Sequence, residues 1–272
     1  MWRGKRVSLV YPTYREKNSI CDATVEAALT GYIDEIVIVN NNAEGGTTEE
    51  VARAAALIVE QGVDVCVREV HEKVQGYGAA CLRGLDESTG HFRCISEPDA
   101  TFVADDLLKL LAYSDKCDVV FGSRTVKTFI WSGANMWWFL RWGNWAVAKL
   151  LEVLFNTTSL SDVGCTMRLV RADVYANMRA NLTIADNFFG PQMILVARLM
   201  SIPFVQIPVN YRARVGTSSV TGDFWKAMRL GIRMIVLIFQ YRFMGLNAGS
   251  LFGDRTASRS AERGDCRSTG TN

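Results

Sequence analysis

The sequence predicts an α/β fold in which a mostly parallel central sheet is flanked by helices. In the first half of the chain, short runs of β-branched and apolar residues alternate with longer segments whose apolar residues recur at helical spacing. This alternation is typical of parallel strands joined by crossover helices. With 272 residues, 49% of them hydrophobic and 21% charged, the chain can build a large core, and whole-chain disorder, collagen and coiled coil are excluded.

Five strands and four helices are predicted in that half, in strict alternation. The strands are expected at residues 6–10, 35–39, 63–70, 93–96 and 118–122. The helices are expected between them at residues 19–30, 48–61, 77–86 and 104–114. Open sheets of this type bind ligands at the carboxyl ends of their strands, so the loops that follow the strands are where a site is expected.

The second half is marked by tryptophan and by basic residues. Five of the seven tryptophans fall within fifteen residues, just ahead of a helical pattern at 146–155: Trp131, Trp137, Trp138, Trp142 and Trp145. Such a stripe either packs in a core, or lies at a lipid headgroup layer or on a sugar or prenyl chain. Phe224–Met244 is rich in Lys and Arg and predicts a basic amphipathic helix at an anionic surface, or else a core helix with a solvated basic face.

The loops at four predicted strand ends are polar: residues 10–16, 40–47, 96–99 and 122–124. In the third loop, Glu97 and Asp99 both project toward one cleft, where two carboxylates repel each other unless a cation lies between them or one of them binds a proton. Mg²⁺ takes one or two carboxylates and completes its shell with phosphate oxygens and water, so a metal-bound diphosphate would suit this pair. For an isolated acidic pair, a solvated loop is the alternative.

Together these loops resemble the family 2 glycosyltransferases of the GT-A (Rossmann-like) fold, in particular the polyprenyl-phosphate (dolichyl-phosphate) mannose synthase group. The similarity runs from about residue 7 to about residue 233. Seven segments correspond in order to family motifs: 12–16 to P-T-Y-N-E, 40–47 to D-D-x-S-x-D-G-T, 76–80 to G-x-G-x-A, 97–99 to D-x-D, 122–124 to G-S-R, 162–168 to D-x-x-x-G-x-R, and 208–218 to P-V-x-Y-x-x-R-x-G-x-S. Each match alone is weak, whereas seven in the right order are specific.

The resemblance implies an inverting glycosyltransferase that moves a sugar from a nucleotide diphosphate sugar, GDP-mannose first and UDP-sugars next, to a polyprenyl phosphate. The residues implied to bind the nucleotide sugar are Pro12, Tyr14, Glu16, Asn40, Asn41, Gly78, Glu97 and Asp99. Glu97 and Asp99 would also hold Mg²⁺ or Mn²⁺. Catalytic roles are implied for Asp99, Arg124, Arg214 and Asp186, and acceptor binding for Arg124, Arg141 and Ser218.

Two acceptor classes remain open at this point. A polyprenyl phosphate is already ionised and needs positioning rather than a general base, with Arg214 and Arg212 neutralising the leaving group. A sugar hydroxyl of a surface polysaccharide or lipid-linked glycan would need a base within hydrogen-bond reach, for which Asp186 is the candidate. Asp186 also precedes an apolar run, so an N-capping role is the structural alternative.

Three departures from the family pattern bear on function. The paired aspartates of the second loop are Asn40 and Asn41, so amides stand where the family uses carboxylates to accept hydrogen bonds from the base. The first metal carboxylate is Glu97, which is one methylene longer, and in the acceptor region Trp137 and Arg141 stand where the mannose synthases carry an arginine four residues before a serine. These changes motivate a catalytically silent nucleotide-binding homologue as the non-enzyme hypothesis. A nucleotidyltransferase is disfavoured because the chain has no basic glycine-rich loop near its amino terminus.

The expected organisation is one glycosyltransferase domain over residues 1–246, with a nucleotide-sugar half at 1–125, an acceptor half at 126–246 and a disordered tail at 247–272. The formal charge of +2 argues against nucleic acid as a partner. The seven scattered cysteines, the absence of a signal-peptide pattern and the absence of an 18-residue apolar run predict a cytoplasmic protein. It is expected to associate peripherally with the inner face of the plasma membrane.

Overall fold

A computed structural model describes residues 1–134, 138–215 and 224–249, and within these ranges the side chains of residues 139, 224, 226 and 227 are not described. Seven strands form its central sheet: β1 (Val7–Thr13), β2 (Glu35–Asn40), β3 (Cys66–His71), β4 (Phe92–Ile95), β5 (Val119–Ser123), β6 (Arg168–Arg171) and β7 (Phe204–Pro208). Eight α-helices accompany them in the described ranges: α1 (Lys17–Leu29), α2 (Thr47–Glu60), α3 (Tyr77–Glu87), α4 (Asp106–Tyr113), α5 (Trp138–Phe155), α6 (Ala172–Met178), α7 (Phe189–Leu199) and α8 (Phe224–Met244).

The strand order across the sheet is β3-β2-β1-β4-β6-β5-β7. Strand β6 runs antiparallel to both of its neighbours, and the other pairings are parallel, so six strands point the same way. The mostly parallel sheet expected from the sequence is therefore confirmed. Because these six strands share a direction, the loops after β1, β2, β4 and β5 come to one edge of the sheet.

The core lies on both faces of the sheet, because successive strand residues point in opposite directions. Along β1, Val10 packs into one cluster, whereas Leu9 and Tyr11 pack into the other. The first cluster contains residues of α3, α5, α7 and α8, and the second contains residues of α1, α2 and α4. The first half of the chain and much of the second are thus built into one three-layer structure.

All five predicted strands and four predicted helices are present, with ends displaced by a few residues. The sequence analysis missed β6, β7, α6 and α7. Strand β6 is short and begins with Arg168, a buried arginine whose charge obscures the strand pattern. Helix α7 is buried around its whole circumference from Phe189 to Ala197, so it has no polar face and lacks the amphipathic pattern by which helices are recognised.

Helices α5 and α8 pack against each other on one side of the sheet. Four of the five clustered tryptophans are exposed, Trp138 at 71% and Trp142 at 53% among them, so the core-packing interpretation is wrong for those four; Trp137 lies outside the described residues. No helix within residues 1–134, 138–215 and 224–249 is long and apolar enough to span a bilayer.

The ordered part of the chain extends slightly beyond the predicted start of the tail. A short 3₁₀ helix at Gly245–Asn247 follows α8, and the side chain of Ala248 is completely buried. The predicted boundary at residue 247 is therefore too early by at least two residues. The rest of the predicted tail, from residue 250 on, lies outside the described residues.

Candidate active site

The acidic loop after β4 places one carboxylate fully out of solvent. Asp99 is completely buried, and its Oδ1 accepts hydrogen bonds from the Thr101 backbone N–H (3.0 Å) and the Thr101 hydroxyl (2.5 Å). Its Oδ2 is buried without a hydrogen bond from any described residue. Ala100, the next residue, has φ of +64°, a left-handed conformation that costs an alanine about 1 kcal/mol or more. The loop is therefore built to hold Asp99 in one orientation.

Glu97 lies in the same loop, and its carboxylate also lies close to a like charge. Burial, and after it the neighbouring Asp99 carboxylate, raises the pKa of Glu97 to about 8, although Arg214 acts in the opposite direction. Glu97 and Asp99 repel each other, and Asp99 Oδ2 has the Arg214 guanidinium beside it but accepts no hydrogen bond from a described residue, so a further cation would relieve the repulsion. No cluster of three or more His, Cys, Asp or Glu side chains able to hold a metal occurs in the described part of the chain. Two carboxylates are the number of protein ligands that Mg²⁺ commonly takes, so Glu97 and Asp99 would suit Mg²⁺ or Mn²⁺ if a diphosphate and water supplied the other ligands.

Arg214 contacts two carboxylates that follow different strands, Asp99 after β4 and Glu16 after β1. Its Nε lies 3.2 Å from Asp99 Oδ2, and its Nη2 donates to Glu16 Oε1 at 3.0 Å. Glu16 in turn accepts hydrogen bonds from the Tyr14 and Arg15 backbone N–H groups with its other oxygen. The backbone beside Arg214 is anchored as well, because the Val215 N–H donates to the Asp99 carbonyl at 3.0 Å. Three residues predicted for the site, Glu16, Asp99 and Arg214, are therefore in direct contact.

The asparagine pair after β2 is engaged within the protein. Asn40 donates to Glu69 Oε1 at 2.7 Å and accepts the Ala43 N–H at 2.9 Å, which leaves one amide hydrogen for a ligand. Asn41 is 3% exposed, and both hydrogens and both lone pairs of its amide are used in hydrogen bonds to the loop at residues 72–76. The predicted contact between Asn41 and a nucleobase is therefore not supported by the geometry.

Gly78 has a packing role that the sequence prediction did not assign. A Cβ at this position would lie 2.2 Å from the Ile184 carbonyl oxygen, so only glycine lets α3 approach the segment that precedes α7. Gly76 is similar, since its Cβ would lie 2.2 Å from the Ala185 carbonyl oxygen. This glycine therefore lets α3 pack against the segment before α7, and its role in nucleotide-sugar binding stays a prediction.

Arg124, at the end of β5, is held in a buried ion pair. Its Nε and Nη2 donate to the two carboxylate oxygens of Asp162 at 2.9 and 3.1 Å, and its backbone N–H donates to Asp162 Oδ2 at 3.0 Å. Burial acts to raise the pKa of Asp162, but the Arg124 charge and hydrogen bonds outweigh it and hold this pKa below its usual value. Gln206 supports the pair by accepting the Asp162 N–H and donating to the Asp162 carbonyl. Two of the five guanidinium N–H groups of Arg124 thus donate to Asp162.

An open cleft begins one residue beyond Arg124. It has a volume of about 400 Å³ and a mostly apolar surface, and it is lined by Thr125, Lys127, Arg141, Trp142 and Trp145. The two tryptophan rings pack edge to face with centroids 5.5 Å apart. The cleft therefore combines two cationic side chains with two aromatic rings, and it contains Arg141, which was predicted to bind the acceptor.

Asp186 lies in the turn before α7. Its Oδ1 accepts the Phe188 N–H at 2.9 Å, which closes a turn ahead of the helix; the N-cap residue of α7 is Phe188, so Asp186 does not take the N-cap position. Its Oδ2 lies 3.8 Å from Arg233 Nη2, and the Arg233 guanidinium carbon lies 4.5 Å from the centre of the Phe188 ring. Burial raises the pKa of Asp186, with the Phe188 N–H and Arg233 acting in the opposite direction.

Arg233, predicted as part of a basic helix at an anionic surface, lies at the edge of the buried side of α8. It is adjacent to the buried Met234, its side chain is 38% exposed, and it faces Asp186. Arg212, predicted to help the leaving group, turns away instead: its Nη1 lies 3.4 Å from Glu26 and its guanidinium covers the Trp131 ring at 4.9 Å.

The remaining predicted residues have these places. Pro12 is buried in β1, where it pairs with Val39, and Tyr14 is 40% exposed just beyond the strand, with the Arg15 guanidinium carbon 5.1 Å from its ring centre. Ser218 lies outside the described residues.

Comparison with known proteins agrees with the sequence motifs. The profile of the family described as Glycosyl transferase family 2 matches residues 8–179. The chain is 26% identical over 230 residues to the low-salt glycan biosynthesis hexosyltransferase Agl6 of Haloferax volcanii, an alignment that covers 82% of this chain and 52% of that protein. It is 27% identical over 239 residues to an uncharacterized glycosyltransferase of Mycobacterium tuberculosis, covering 83% of this chain and 99% of that one. The chain thus spans about half the length of the Haloferax relative.

Solved structures share the fold. Glucosyl-3-phosphoglycerate synthase from Mycobacterium tuberculosis, in complex with Mn²⁺, UDP and glucosyl-3-phosphoglycerate, superposes with a TM-score of 0.60 at 12% identity, covering 88% of this chain and 80% of that chain. The same synthase in complex with Mg²⁺ and UDP gives a TM-score of 0.59 at 13% identity, over 88% and 79% of the two chains. This similarity establishes the GT-A architecture. With the family profile covering more than half of its length, the chain belongs to glycosyl transferase family 2.

Proposed function

We propose that this protein transfers a sugar, with inversion, from a nucleotide diphosphate sugar to a polyprenyl phosphate at a membrane surface. The observation that carries the proposal is the open cleft beside Arg124, because its lining matches an acceptor that is anionic at one end and apolar along its length. Lys127 and Arg141 offer cationic donors for a phosphate, and the rings of Trp142 and Trp145 offer an apolar surface for a prenyl chain.

The donor would lie across the ends of β1, β2 and β4. Asp99 and Glu97 would hold a divalent metal, which when bound supplies charge neutralisation for the diphosphate; the synthase of the same fold was solved with Mn²⁺ and with Mg²⁺. Arg214 contributes a positive charge at the same place, held there by Glu16. Its fork of N–H groups is suited to a phosphate oxygen that gains charge as the sugar leaves. Asn40 has one amide hydrogen to give to a nucleobase.

A phosphate acceptor simplifies the chemistry on the other side of the sugar. Its oxygen is ionised at neutral pH, so it attacks the anomeric carbon without giving up a proton, and the protein has only to hold it in line. Arg141 and Lys127 are the described cationic groups of the cleft that would do this. Arg124 would offer the phosphate the guanidinium N–H groups that Asp162 does not use, since Asp162 accepts from Nε and from one Nη2 hydrogen.

Docking at a membrane is the second part of the proposal, and helix α8 supports it. One side of α8 is buried in the core, whereas residues at alternating spacings of four and three on the opposite side are exposed: Trp225, Arg229, Ile232, Val236, Phe239 and Phe243. Trp225 is 75% and Phe243 is 80% exposed. The helix contains Lys and Arg but no Asp or Glu. An apolar, aromatic stripe on a cationic helix is typical of insertion into the interface of an anionic bilayer.

Product formation from a labelled panel of GDP- and UDP-sugars tests the transfer. Wild type would be assayed with Mn²⁺ or Mg²⁺ and with polyprenyl phosphate, 3-phosphoglycerate or an oligosaccharide as acceptor. We expect labelled lipid from wild type with metal, a loss of at least tenfold for Asp99→Asn, and a marked rise in KM for the lipid in Arg141→Ala. Arg83→Ala, which removes an exposed arginine of α3, is the matched control. Label in phosphoglycerate or oligosaccharide but not in lipid would refute the lipid acceptor.

A hydroxyl acceptor is the second candidate function, and Asp186 is the observation in its favour. Its carboxylate is largely shielded from solvent, and this burial raises its pKa. One carboxylate oxygen faces Arg233 rather than a backbone N–H group. If an oligosaccharide is the acceptor that works, Asp186→Asn should lower kcat by at least a hundredfold. With polyprenyl phosphate as the acceptor, the same variant should change kcat much less.

Co-sedimentation with vesicles tests the docking surface. Vesicles containing an anionic phospholipid should bind wild type, and Phe239→Ser combined with Phe243→Ser should weaken binding by at least tenfold. Val59→Ser, which changes an exposed apolar residue on α2, serves as the control and should bind as wild type does. If the double variant instead converts a dimer to a monomer while vesicle binding is unchanged, the stripe is a contact between two copies of the chain and the membrane proposal fails.

A further inference from the structure

The amide of Asn41 connects two loops at the sheet edge. Its Nδ2 donates to the carbonyl oxygens of Glu72 (2.9 Å) and Val74 (2.8 Å). Its Oδ1 accepts hydrogen bonds from Gln75 Nε2 (3.1 Å) and from the Gly76 backbone N–H (2.8 Å). Four hydrogen bonds from one buried side chain therefore fix the loop at residues 72–76 onto the end of β2.

The chemistry of this arrangement requires an amide. A primary amide offers two donors and two acceptor lone pairs, whereas an ionised carboxylate offers acceptors only. An aspartate at position 41 would direct a charged oxygen at the Glu72 and Val74 carbonyls and lose both donated bonds inside a buried site. The asparagine that departs from the family pattern is thus matched to its surroundings, and it is not a weakened form of a nucleotide-binding aspartate.

The loop that Asn41 holds packs against the segment at residues 184–186, in the second half of the chain. Gly76 and Gly78 touch the carbonyls of Ala185 and Ile184 so closely that a Cβ on either glycine would lie 2.2 Å from oxygen. The Ala79 N–H donates to the Ala185 carbonyl at 2.9 Å. Asp186 is the next residue, and its side chain faces Arg233 of α8. A continuous path of contacts thus runs from Asn41 to the segment at residues 184–186.

We propose that Asn41 is a positioning residue that sets the alignment of the acceptor half against the nucleotide half, and that it does not bind the nucleobase. This inference rests on the proposed transferase function. Asn41 would act through the loop at residues 72–76, which connects the end of β2 by contacts to the segment at residues 184–186. Because transfer requires the acceptor oxygen in line with the anomeric carbon, a shift of about 1 Å there can slow the reaction about a hundredfold. Nucleotide binding at Asp99 and Glu97 would be affected far less.

The test compares Asn41→Asp with Asn42→Asp in the full chain. We call the four hydrogen bonds of the Asn41 amide the clamp. Asn42 is exposed and donates one hydrogen bond, to Gln75 Oε1, so its replacement adds the same charge next door and leaves the clamp bonds to Glu72, Val74 and Gly76 in place. For each variant we would measure the Kd for UDP and GDP with Mn²⁺ by calorimetry, and kcat and KM with the donor and acceptor that wild type uses. Asn41→Asp should lose at least tenfold in kcat with a Kd within threefold of wild type. Asn42→Asp should stay within twofold in both quantities.

Two further measurements keep the inference testable if Asn41→Asp does not fold. Gln75→Ala removes one of the four hydrogen bonds from an exposed side chain and should lower kcat by a smaller factor, again at unchanged Kd. In wild type, amide hydrogen exchange at Gly76 and Ala79 should be slow, since the Gly76 N–H donates within the clamp and the Ala79 N–H donates to the Ala185 carbonyl.

Three results would overturn the inference: a Kd weakened at least tenfold by Asn41→Asp with kcat unchanged, equal behaviour of Asn41→Asp and Asn42→Asp, or fast exchange of the Gly76 amide in wild type. The first would make Asn41 a nucleotide contact. Wild type that binds no nucleotide and transfers no sugar would refute the proposed function instead, and Gly76 exchange would still decide whether the clamp exists.

Discussion

Asp162→Asn should destabilise the protein by about 3 to 5 kcal/mol, because it breaks an ion pair whose carboxylate is fully buried and whose Arg124 side chain is 14% exposed, and it leaves the Arg124 charge without a counterion. The structure supports this magnitude. Asp162 accepts hydrogen bonds from the Arg124 Nε, Nη2 and backbone N–H groups and from the Gly164 N–H. Asparagine keeps one acceptor oxygen and turns an NH₂ group toward the remaining donors, so about two hydrogen bonds to charged groups are lost at about 1.5 to 3 kcal/mol each.

Urea unfolding monitored by circular dichroism would measure this loss, and Asp173→Asn is the matched control. Asp173 forms the same two-point pair with Arg171, at 3.0 and 2.7 Å, but its side chain is 59% exposed. Exposed pairs contribute about 0.2 to 1 kcal/mol, so the control should change the free energy of unfolding by no more than that. If the two variants lose equal stability, burial does not govern the strength of the Arg124 pair and the reasoning is refuted.

The same variant has a defined pH dependence. The pKa of Asp162 is lowered by folding, so the carboxylate stabilises the folded state above its unfolded pKa of about 4, and this stabilisation is lost as the pH falls through the lower folded pKa. The difference in unfolding free energy between wild type and Asp162→Asn should therefore be constant from about pH 7 down to about pH 5 and shrink below about pH 4. A difference that grows on acidification would contradict this assignment.

Three further outcomes are expected. Gln192→Met, which keeps the size of a buried side chain but removes its bonds to Tyr241 and the loop before α7, should lower the free energy of unfolding by about 2 to 4 kcal/mol in urea titrations. Gly78→Ala places a Cβ 2.2 Å from the Ile184 carbonyl and should lower the melting temperature, whereas Gly143→Ala, in open space on α5, should leave it equal or raise it. Chelation of divalent cations should abolish the rise in melting temperature that UDP or GDP produces with Mn²⁺, and a rise that survives EDTA would contradict the metal assignment.

The predictable part of the fold is the part in which local pattern and tertiary environment agree. Strands such as β2 are continuous apolar runs, and helices such as α2 have one apolar face, so their positions could be inferred within a few residues. Helix α7 and strand β6 could not be inferred. Helix α7 is buried on all sides, and β6 begins with Arg168, whose guanidinium is bonded to the carbonyls of Cys165 and Gly190.

Some features of the candidate site could likewise be predicted from the sequence, and others could not. Motif order and residue chemistry were enough to select Glu97, Asp99 and Arg214 as neighbours at one edge of a parallel sheet, because the direction of the chain in such a sheet brings strand ends together. The structure adds Glu16 as the carboxylate that orients Arg214.

The sequence by itself determined the fold family, the sheet edge that carries the site and the carboxylates suited to a metal, since these depend on residue type, order and periodicity. Only the tertiary structure decided what each polar side chain is used for. Asn41 is committed to a loop, Arg124 forms an ion pair with Asp162, and Arg233 of α8 faces Asp186. The reason is that a hydrogen-bonding group has few donors and acceptors, and which partners use them depends on distances between segments far apart in the chain.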